Sequence, residues 1–229
     1  MKESGNNHLK TLENIPIFSC LLPDEKNTFK NIVTEKHFRK NAIILMEDES
    51  KNFMYVIFSG KIKVVQTNPD GKEQILVIRK RGDFFGEMTL LDGKSQPASI
   101  VAMEDATVGL ISKNDFEQYF MKDCTALKQI ISLLCERLRE SWVMLRVLGL
   151  SDAETRVRAV LAHISSIYGI KDVRGIIIPL KLTHKEIADY AALTRETVSR
   201  LLSRLCQAGE IEIVGNKNII LKHSFTNPH

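Results

Sequence analysis

The sequence predicts an α+β protein with an N-terminal β jelly roll, a long dimerisation helix and a C-terminal winged helix-turn-helix. Three observations predict this fold. Short β-rich runs occupy residues 41–112, an apolar heptad repeat follows, and a capped pair of helices with a β-hairpin lies near the end. We place the domain boundaries at residues 1–122, 123–150 and 151–229.

Six β-rich runs predict the jelly roll. The turn sequence Asn68-Pro69-Asp70-Gly71 separates two of them and is typical of a hairpin. Short strands at regular spacing indicate a sandwich or a barrel. Residues 12–38, which precede the runs, are predicted to be mostly helical. The predicted strands are residues 42–46, 53–58, 61–66, 74–78, 99–103 and 106–111.

A heptad repeat predicts the dimerisation helix. Its positions alternate in steps of four and three residues, and Ser141 is the only polar residue among them. This narrow stripe favours self-association, although a helix packed on its own domain is the alternative. We expect Arg137, which lies off the stripe, to face solvent. The apolar seam consists of Leu127, Ile131, Leu134, Leu138, Leu145 and Leu148.

The segment 183–209 predicts a helix-turn-helix. Thr183 and Glu186 form a capping box that begins a helix over residues 185–191. Thr194 caps a second helix that runs to residue 207, and residues 211–221 resemble a β-hairpin wing. A polar loop is expected over residues 169–175, before this motif.

The second helix of the motif has two distinct faces. Val198, Leu201, Leu202 and Leu205 form a stripe that we expect to be buried. Arginine can donate two hydrogen bonds to guanine, and glutamate can accept one from cytosine, so the opposite face favours DNA binding over a merely solvated helical hairpin. That outward face carries Arg195, Glu196, Ser199, Arg200, Ser203 and Arg204.

Composition and spacing argue against several other classes of protein. The net charge of +4 permits nucleic-acid binding without requiring it. We find neither a nucleophile–base arrangement nor a metal-binding spacing, so we expect no enzyme and no metal site. The absence of a signal peptide or a long apolar run predicts a cytoplasmic protein without a membrane partner. The four cysteines are widely separated: Cys20, Cys124, Cys135 and Cys206.

Four segments resemble the CRP/FNR superfamily of transcription regulators. Residues 182–188 (LTHKEIA) and 193–202 (LTRETVSRLL) resemble its DNA-binding end. Residues 60–64 (GKIKV) and 82–88 (GDFFGEM) resemble its cyclic-nucleotide-binding-type barrel. The resemblance implies a homodimer that binds palindromic double-stranded DNA, with RNA polymerase as a further partner.

The resemblance also assigns roles to residues of the helix-turn-helix. Glu196 and Arg200 would contact bases with Ser199 beside them, in a spacing similar to that of the FNR type, whose half-site is TTGAT-like. Thr183 and Lys185 would contact phosphates, which position a protein without reporting sequence. Arg195 completes the predicted DNA-binding set.

A small-molecule effector pocket is implied in the barrel, beside the long helix. Members that bind cyclic AMP carry an Arg-Ser pair where this chain has Gln96 and Pro97, which argues against cyclic AMP because Gln96 has no charge for the phosphate. We expect Glu87 to bond loop amides, with a ligand contact as the alternative, and Trp142 to fill a core, with stacking on a planar ligand as the alternative. The implied pocket residues are Gly86, Glu87, Gln96, Pro97, Ser141 and Trp142.

Three alternatives concern the effector and the function. An iron–sulfur cluster is disfavoured because Cys20 is the only N-terminal cysteine. A haem-based gas sensor, with His37 or His163 as a ligand, and a cyclic-nucleotide-binding regulator remain as alternatives. A ligand-binding module that does not regulate transcription is a further class, but it would have no use for the outward Arg, Glu and Ser set.

Overall fold

The computed structural model describes residues 15, 18, 32–215 and 218–226. The chain divides into two compact units, residues 1–66 with 76–137 and residues 67–75 with 138–229. The end of one barrel hairpin is therefore grouped with the C-terminal unit. The segment 123–150, predicted to be a separate domain, is shared between the two units.

Two four-stranded sheets form the sandwich of the N-terminal half, in the orders β1-β8-β3-β6 and β2-β7-β4-β5. The predicted jelly roll is confirmed, and all six predicted strands occur with ends shifted by at most two residues. The strands β1 to β8 are Thr34–Phe38, Ile43–Leu45, Phe53–Ser59, Lys61–Thr67, Glu73–Lys80, Phe84–Phe85, Ser99–Ala102 and Ala106–Ser112.

Strand β3 is buried on both of its faces. Val56 packs in a cluster with Phe116, which lies on a helix. Ile57, which points to the other side of the strand, packs with Ile100 of the second sheet. Because successive side chains of a strand alternate between faces, a continuous apolar run can join two hydrophobic clusters.

The predicted helical segment 12–38 is wrong at its end, because Thr34–Phe38 is a strand. This strand pairs antiparallel with β8, from Thr34 opposite Leu110 to Phe38 opposite Ala106. Most of its side chains are exposed, so its sequence has no apolar alternation that would predict a strand. Most of residues 12–31, including Pro16, Cys20 and Pro23, lie outside the described residues.

Three helices accompany this sandwich in the described residues, and the third is the predicted long helix. Ser112 caps α2 by accepting a hydrogen bond from the backbone N–H of Asp115. The helices are α1 Glu87–Asp92, α2 Lys113–Tyr119 and α3 Cys124–Leu148. Helix α3, with 25 residues, confirms the predicted long helix.

The C-terminal unit contains a helix-turn-helix and a four-stranded antiparallel sheet in the order β11-β12-β10-β9. Its helices are α4 Ala153–Tyr168, α5 His184–Ala191 and α6 Arg195–Gln207. Its strands are β9 Ile170–Asp172, β10 Gly175–Ile178, β11 Ile211–Val214 and β12 Asn218–Lys222. Strands β11 and β12 confirm the predicted wing.

The predicted loop over residues 169–175 is wrong, because it contains strand β9. Ile170 pairs with Ile177 across the hairpin, and this pairing supplies hydrogen bonds that a three-residue sequence does not reveal. Among the described residues, no helix is long and apolar enough to cross a membrane.

Candidate functional site

The helix-turn-helix begins with the predicted capping box. The Thr183 hydroxyl accepts the N–H of Glu186 at 3.2 Å, and the Glu186 carboxylate accepts the N–H of Thr183 at 2.6 Å. Ala192 then takes a left-handed conformation with φ 52° and turns the chain between α5 and α6. Thr194 caps α6 by accepting the N–H of Thr197. These local hydrogen bonds define where each of the two helices begins.

Helix α6 has the two faces that its sequence predicts. Val198, Leu201, Leu202 and Leu205 are buried. On the opposite side a shallow open depression is lined by Arg195, Glu196, Ser199, Arg200 and Ser203. Arg195, Glu196 and Arg200 are exposed, whereas Ser199 is half-buried. The structure thus brings together the predicted base-contacting residues on one accessible surface.

Both residues that are predicted to contact phosphates, Thr183 and Lys185, already form hydrogen bonds within the protein. The Thr183 hydroxyl belongs to the capping box. The Lys185 ammonium group donates to both carboxylate oxygens of Asp189, at 2.6 and 2.7 Å. Asp189 is buried while Lys185 is exposed, so this ion pair holds the ammonium group against helix α5 at the protein surface.

His184 contacts Ser199 on the face of α6 that is predicted to read bases, a contact that the sequence does not reveal. Its Nδ1 atom lies 2.6 Å from the Ser199 hydroxyl oxygen, which is hydrogen-bond distance. His184 is the first residue of α5, so this bond joins the start of α5 to the middle of α6.

Arg204, predicted on the outward face, is bound to another helix. Its guanidinium group donates to Glu154 of α4 at 2.7 Å. Arg158 donates to Glu154 and Glu210, at 3.0 and 2.7 Å. Hydrogen bonds from Arg158 lower the pKa of Glu210, and the same bonds raise the pKa of Arg158. This network connects α4, α6 and the start of the wing.

Helix α3 carries two apolar faces. Ala126, Ile130, Met144 and Val147 are buried within the chain. Three residues spaced by seven positions are exposed: Ile131 at 60%, Leu138 at 50% and Leu145 at 67%. The other predicted seam residues, Leu127, Leu134 and Leu148, are half-buried.

The effector region begins at Gly86, whose φ of 83° precedes helix α1. A Cβ atom at Gly86 would lie 2.7 Å from the carbonyl oxygen of Phe53, so glycine is needed for this close approach. The approach places Glu87 in the interior, with 3% of its surface exposed. The ring of Tyr55 lies beside Gly86, and burial raises the pKa of Tyr55 to about 12.

Arg137 is the partner of Glu87, so the predicted hydrogen bonds from loop amides are wrong. The Arg137 guanidinium group forms an ion pair with Glu87 and donates to the carbonyl oxygen of Phe84 at 2.6 Å. Arg137 is thus half-buried, and the prediction that it faces solvent is wrong. The pair joins α1 to α3 within the N-terminal unit, and the buried carboxylate favours an inward position for the arginine.

The remaining residues of the predicted effector pocket occupy different surroundings. Gln96 is buried, and its backbone bonds Asp48 and Glu49, whereas Pro97 is exposed. Ser141 and Trp142 belong to the C-terminal unit and are exposed. Trp142 is 60% exposed, so the expectation that it fills a core of this chain is wrong. It lies on the helix face next to Leu138 and Leu145.

The two histidines considered as haem ligands lie in different units. His37 is on the exposed side of β1, with its Nδ1 atom 2.9 Å from the Thr107 hydroxyl. His163 is buried in α4, and burial lowers its pKa. Within the described residues, no group of three or more metal-ligating side chains is present.

Both halves of the chain match known families. Residues 35–123 match the cyclic nucleotide-binding domain, and residues 155–223 match the Crp-like helix-turn-helix domain. The chain is 29% identical to the cyclic AMP receptor protein of Thermus thermophilus, over 86% of this chain and 88% of that protein. It is 28% identical to the anaerobic regulatory protein of Bacillus subtilis, over 84% of this chain and 81% of that protein.

A solved structure supports the same assignment. The chain resembles FixK2 from Bradyrhizobium japonicum with a TM-score of 0.72 and 28% identity, over 83% of this chain and 92% of that one. A cyclic-nucleotide-binding-type domain followed by a Crp-like helix-turn-helix defines a class of DNA-binding transcription regulators. The chain belongs to the CRP/FNR superfamily of these regulators, and its relatives are regulators rather than enzymes.

Proposed function

We propose that the chain acts as a homodimer that binds a palindromic, TTGAT-like DNA site through α6. The observation that carries this proposal is the separation of faces on α6: four apolar side chains are buried, and Arg195, Glu196 and Arg200 are exposed together. A helix presented in this way can enter the major groove. The regulator would act in the cytoplasm and contact RNA polymerase.

In this proposal each polar residue has a distinct role. Arg200 donates two hydrogen bonds to guanine, Glu196 accepts one from cytosine, and Ser199 contacts a neighbouring base. Arg195 contacts the DNA beside them. Thr183 and Lys185 lie at the start of α5, where phosphate oxygens would accept hydrogen bonds. Lys185 remains exposed beside Asp189, which supports this position.

The test compares Arg200→Ala with Arg204→Ala. Both changes remove one positive charge from α6, but Arg204 is bound to Glu154 and lies outside the depression. Fluorescence anisotropy on a palindrome selected from random DNA should show that Arg200→Ala loses about 30-fold or more in affinity, since one bidentate contact discriminates by about 1–3 kcal/mol in each half-site. Arg204→Ala should lose only a few-fold. Equal losses would contradict the assignment.

We also propose that the exposed stripe of α3 is the dimer surface. Ile131, Leu138 and Leu145 recur every seven residues, and this spacing keeps them on one side of the helix. Because a separate apolar face of the helix is already buried in the chain, α3 has apolar side chains for two different contacts. A partner α3 would cover the second.

For the effector, we propose a molecule other than cyclic AMP. The Arg137 guanidinium group is committed to Glu87 and to the carbonyl oxygen of Phe84, and Gln96 carries no charge. One carboxylate oxygen of Glu87 and the side-chain oxygen of Gln96 are buried acceptors without a hydrogen-bond partner among the described residues. Buried acceptors of this kind suit a ligand that offers hydroxyl or amide donors.

Calorimetric titration with cyclic AMP tests the effector proposal, and we expect no saturable heat. Saturable binding that Glu87→Gln weakens would contradict it. Mass spectrometry of small molecules released from the purified protein would identify the bound class. An absorption spectrum with a Soret band would favour the haem alternative.

A further inference from the structure

We propose that His184 is a positioning residue that determines which base Ser199 selects, because it fixes the direction of the Ser199 hydroxyl group. The proposal rests on the proposed DNA binding through α6. Its basis is the 2.6 Å separation between His184 Nδ1 and Ser199 Oγ. At this separation one of the two groups donates a hydrogen bond to the other, so the directions open to the serine hydroxyl proton are restricted.

The fold holds both partners in place. His184 begins α5 directly after the capping box formed by Thr183 and Glu186. Ser199 lies on α6 next to the buried residue Val198. Neither backbone can shift without disturbing a cap or the hydrophobic core, so the hydrogen bond is preorganised before DNA arrives.

The imidazole of His184 can make Ser199 either a hydrogen-bond acceptor or a hydrogen-bond donor towards DNA. When Nδ1 has no proton, the Ser199 hydroxyl donates to it, and the lone pairs of the serine oxygen face outward. These lone pairs can accept from the amino groups of adenine or cytosine. When Nδ1 carries a proton, it donates to Ser199, whose own proton then points to an acceptor such as thymine O4 or guanine O6. His184 therefore decides whether Ser199 offers an acceptor or a donor.

The surroundings of His184 combine apolar and charged groups. A cavity beside it is lined by Leu202 of α6 and by Ile213 and Ile219 of the wing. The charged residues on the two helices that meet there are Lys185, Glu186, Asp189, Arg195, Glu196, Arg200 and Arg204. Lys185 and Arg195 line the same cavity as His184.

The experiment is a selection from DNA with randomised half-sites, at pH 7.5, with the full-length protein. The variants are Ser199→Ala, His184→Phe, which keeps the ring without its nitrogens, and His184→Asn, which keeps a hydrogen-bonding group near the Nδ1 position. His184→Phe should change the preference by about fivefold at one position of the half-site, the position that Ser199→Ala also changes. His184→Asn should retain a preference for one base at that position of the half-site.

A repeat at pH 5.8 adds a readout that a purely structural role would not change. Both nitrogen atoms of a protonated imidazole carry protons, so protonation leaves Nδ1 able only to donate to Ser199 and should shift the wild-type preference at this position towards bases that accept hydrogen bonds. The preference of His184→Asn should not shift. An equal pH response in the two proteins would overturn the proposal.

Two other outcomes overturn the proposal. In the first, His184→Phe weakens binding to all sequences equally and lowers the salt dependence, which would make His184 a phosphate contact. In the second, its base preferences equal those of the wild type. Thermal unfolding of each variant is the control that its helix-turn-helix domain is folded. Failure of the wild type to select any sequence would instead refute the proposed DNA binding itself.

Discussion

Leu138→Asp should separate the dimer while leaving each chain folded. Leu138 is 50% exposed in the single chain, so a partner helix would bury about half of its side chain. Complete burial of a leucine contributes about 1.5–3 kcal/mol, so each chain would lose about 1 kcal/mol and the dimer about 2 kcal/mol.

The introduced charges add a second contribution. Two carboxylates about 6 Å apart, at an effective dielectric constant of about 20, repel by about 3 kcal/mol. The combined loss of about 5 kcal/mol corresponds to an increase of about three to four orders of magnitude in the dimer dissociation constant.

Sedimentation velocity at micromolar concentration measures the effect. We expect wild type to sediment as a dimer and Leu138→Asp as a monomer with unchanged helix content. Ser132→Asp is the matched control, because Ser132 is exposed on the same helix but lies outside the seam. A Leu138→Asp protein that sediments as the wild-type dimer would show that the exposed stripe of α3 is not the dimer surface. A monomeric wild type would show the same.

Three further changes test other contacts. Thr183→Ala should reduce the free energy of unfolding of the C-terminal unit by about 1 kcal/mol in urea, since it removes a helix cap, and no change would mean that the cap is dispensable. Arg137→Met should cost about 3–5 kcal/mol by leaving the buried Glu87 unpaired, whereas Glu87→Leu combined with it should restore most of that loss. Burial lowers the pKa of His163 below 6.5, so the unfolded chain binds more protons and stability should fall as the pH decreases below 6.5. His163→Leu should weaken the dependence of the free energy of unfolding on pH. An unchanged pH dependence would mean that other groups cause it.

Local sequence signals predicted most of the fold. The heptad spacing of α3 and the caps Thr183 and Thr194 depend on neighbours within one or two helical turns. The bounds of helix α4, Ala153–Tyr168, likewise follow from residues next to it, since Asp152 caps its start and Gly169 follows its end. Strands β1 and β9 were missed, because their side chains are largely exposed and their strand conformation depends on pairing with another strand, which is the distant β8 for β1 and the neighbouring β10 for β9.

The contacts that the sequence did not reveal join residues far apart in the chain. Arg137 looked like a solvent-exposed charge on the helix, and its partner Glu87 lies fifty positions earlier. No role was predicted for His184, and its bond to Ser199 spans fifteen positions. The geometry of a helix-turn-helix could have predicted the second contact, but nothing in the local pattern predicts the first.

Binding to modified DNA shows whether Arg200 contacts a base. The selected palindrome is prepared with 7-deazaguanine at each guanine in turn, which removes the N7 acceptor. Binding of wild type and Arg200→Ala to each site is measured by anisotropy. At one guanine per half-site, the modification should weaken wild-type binding and leave Arg200→Ala binding unchanged. If both proteins lose the same affinity at every guanine, Arg200 does not contact a guanine and the account is contradicted.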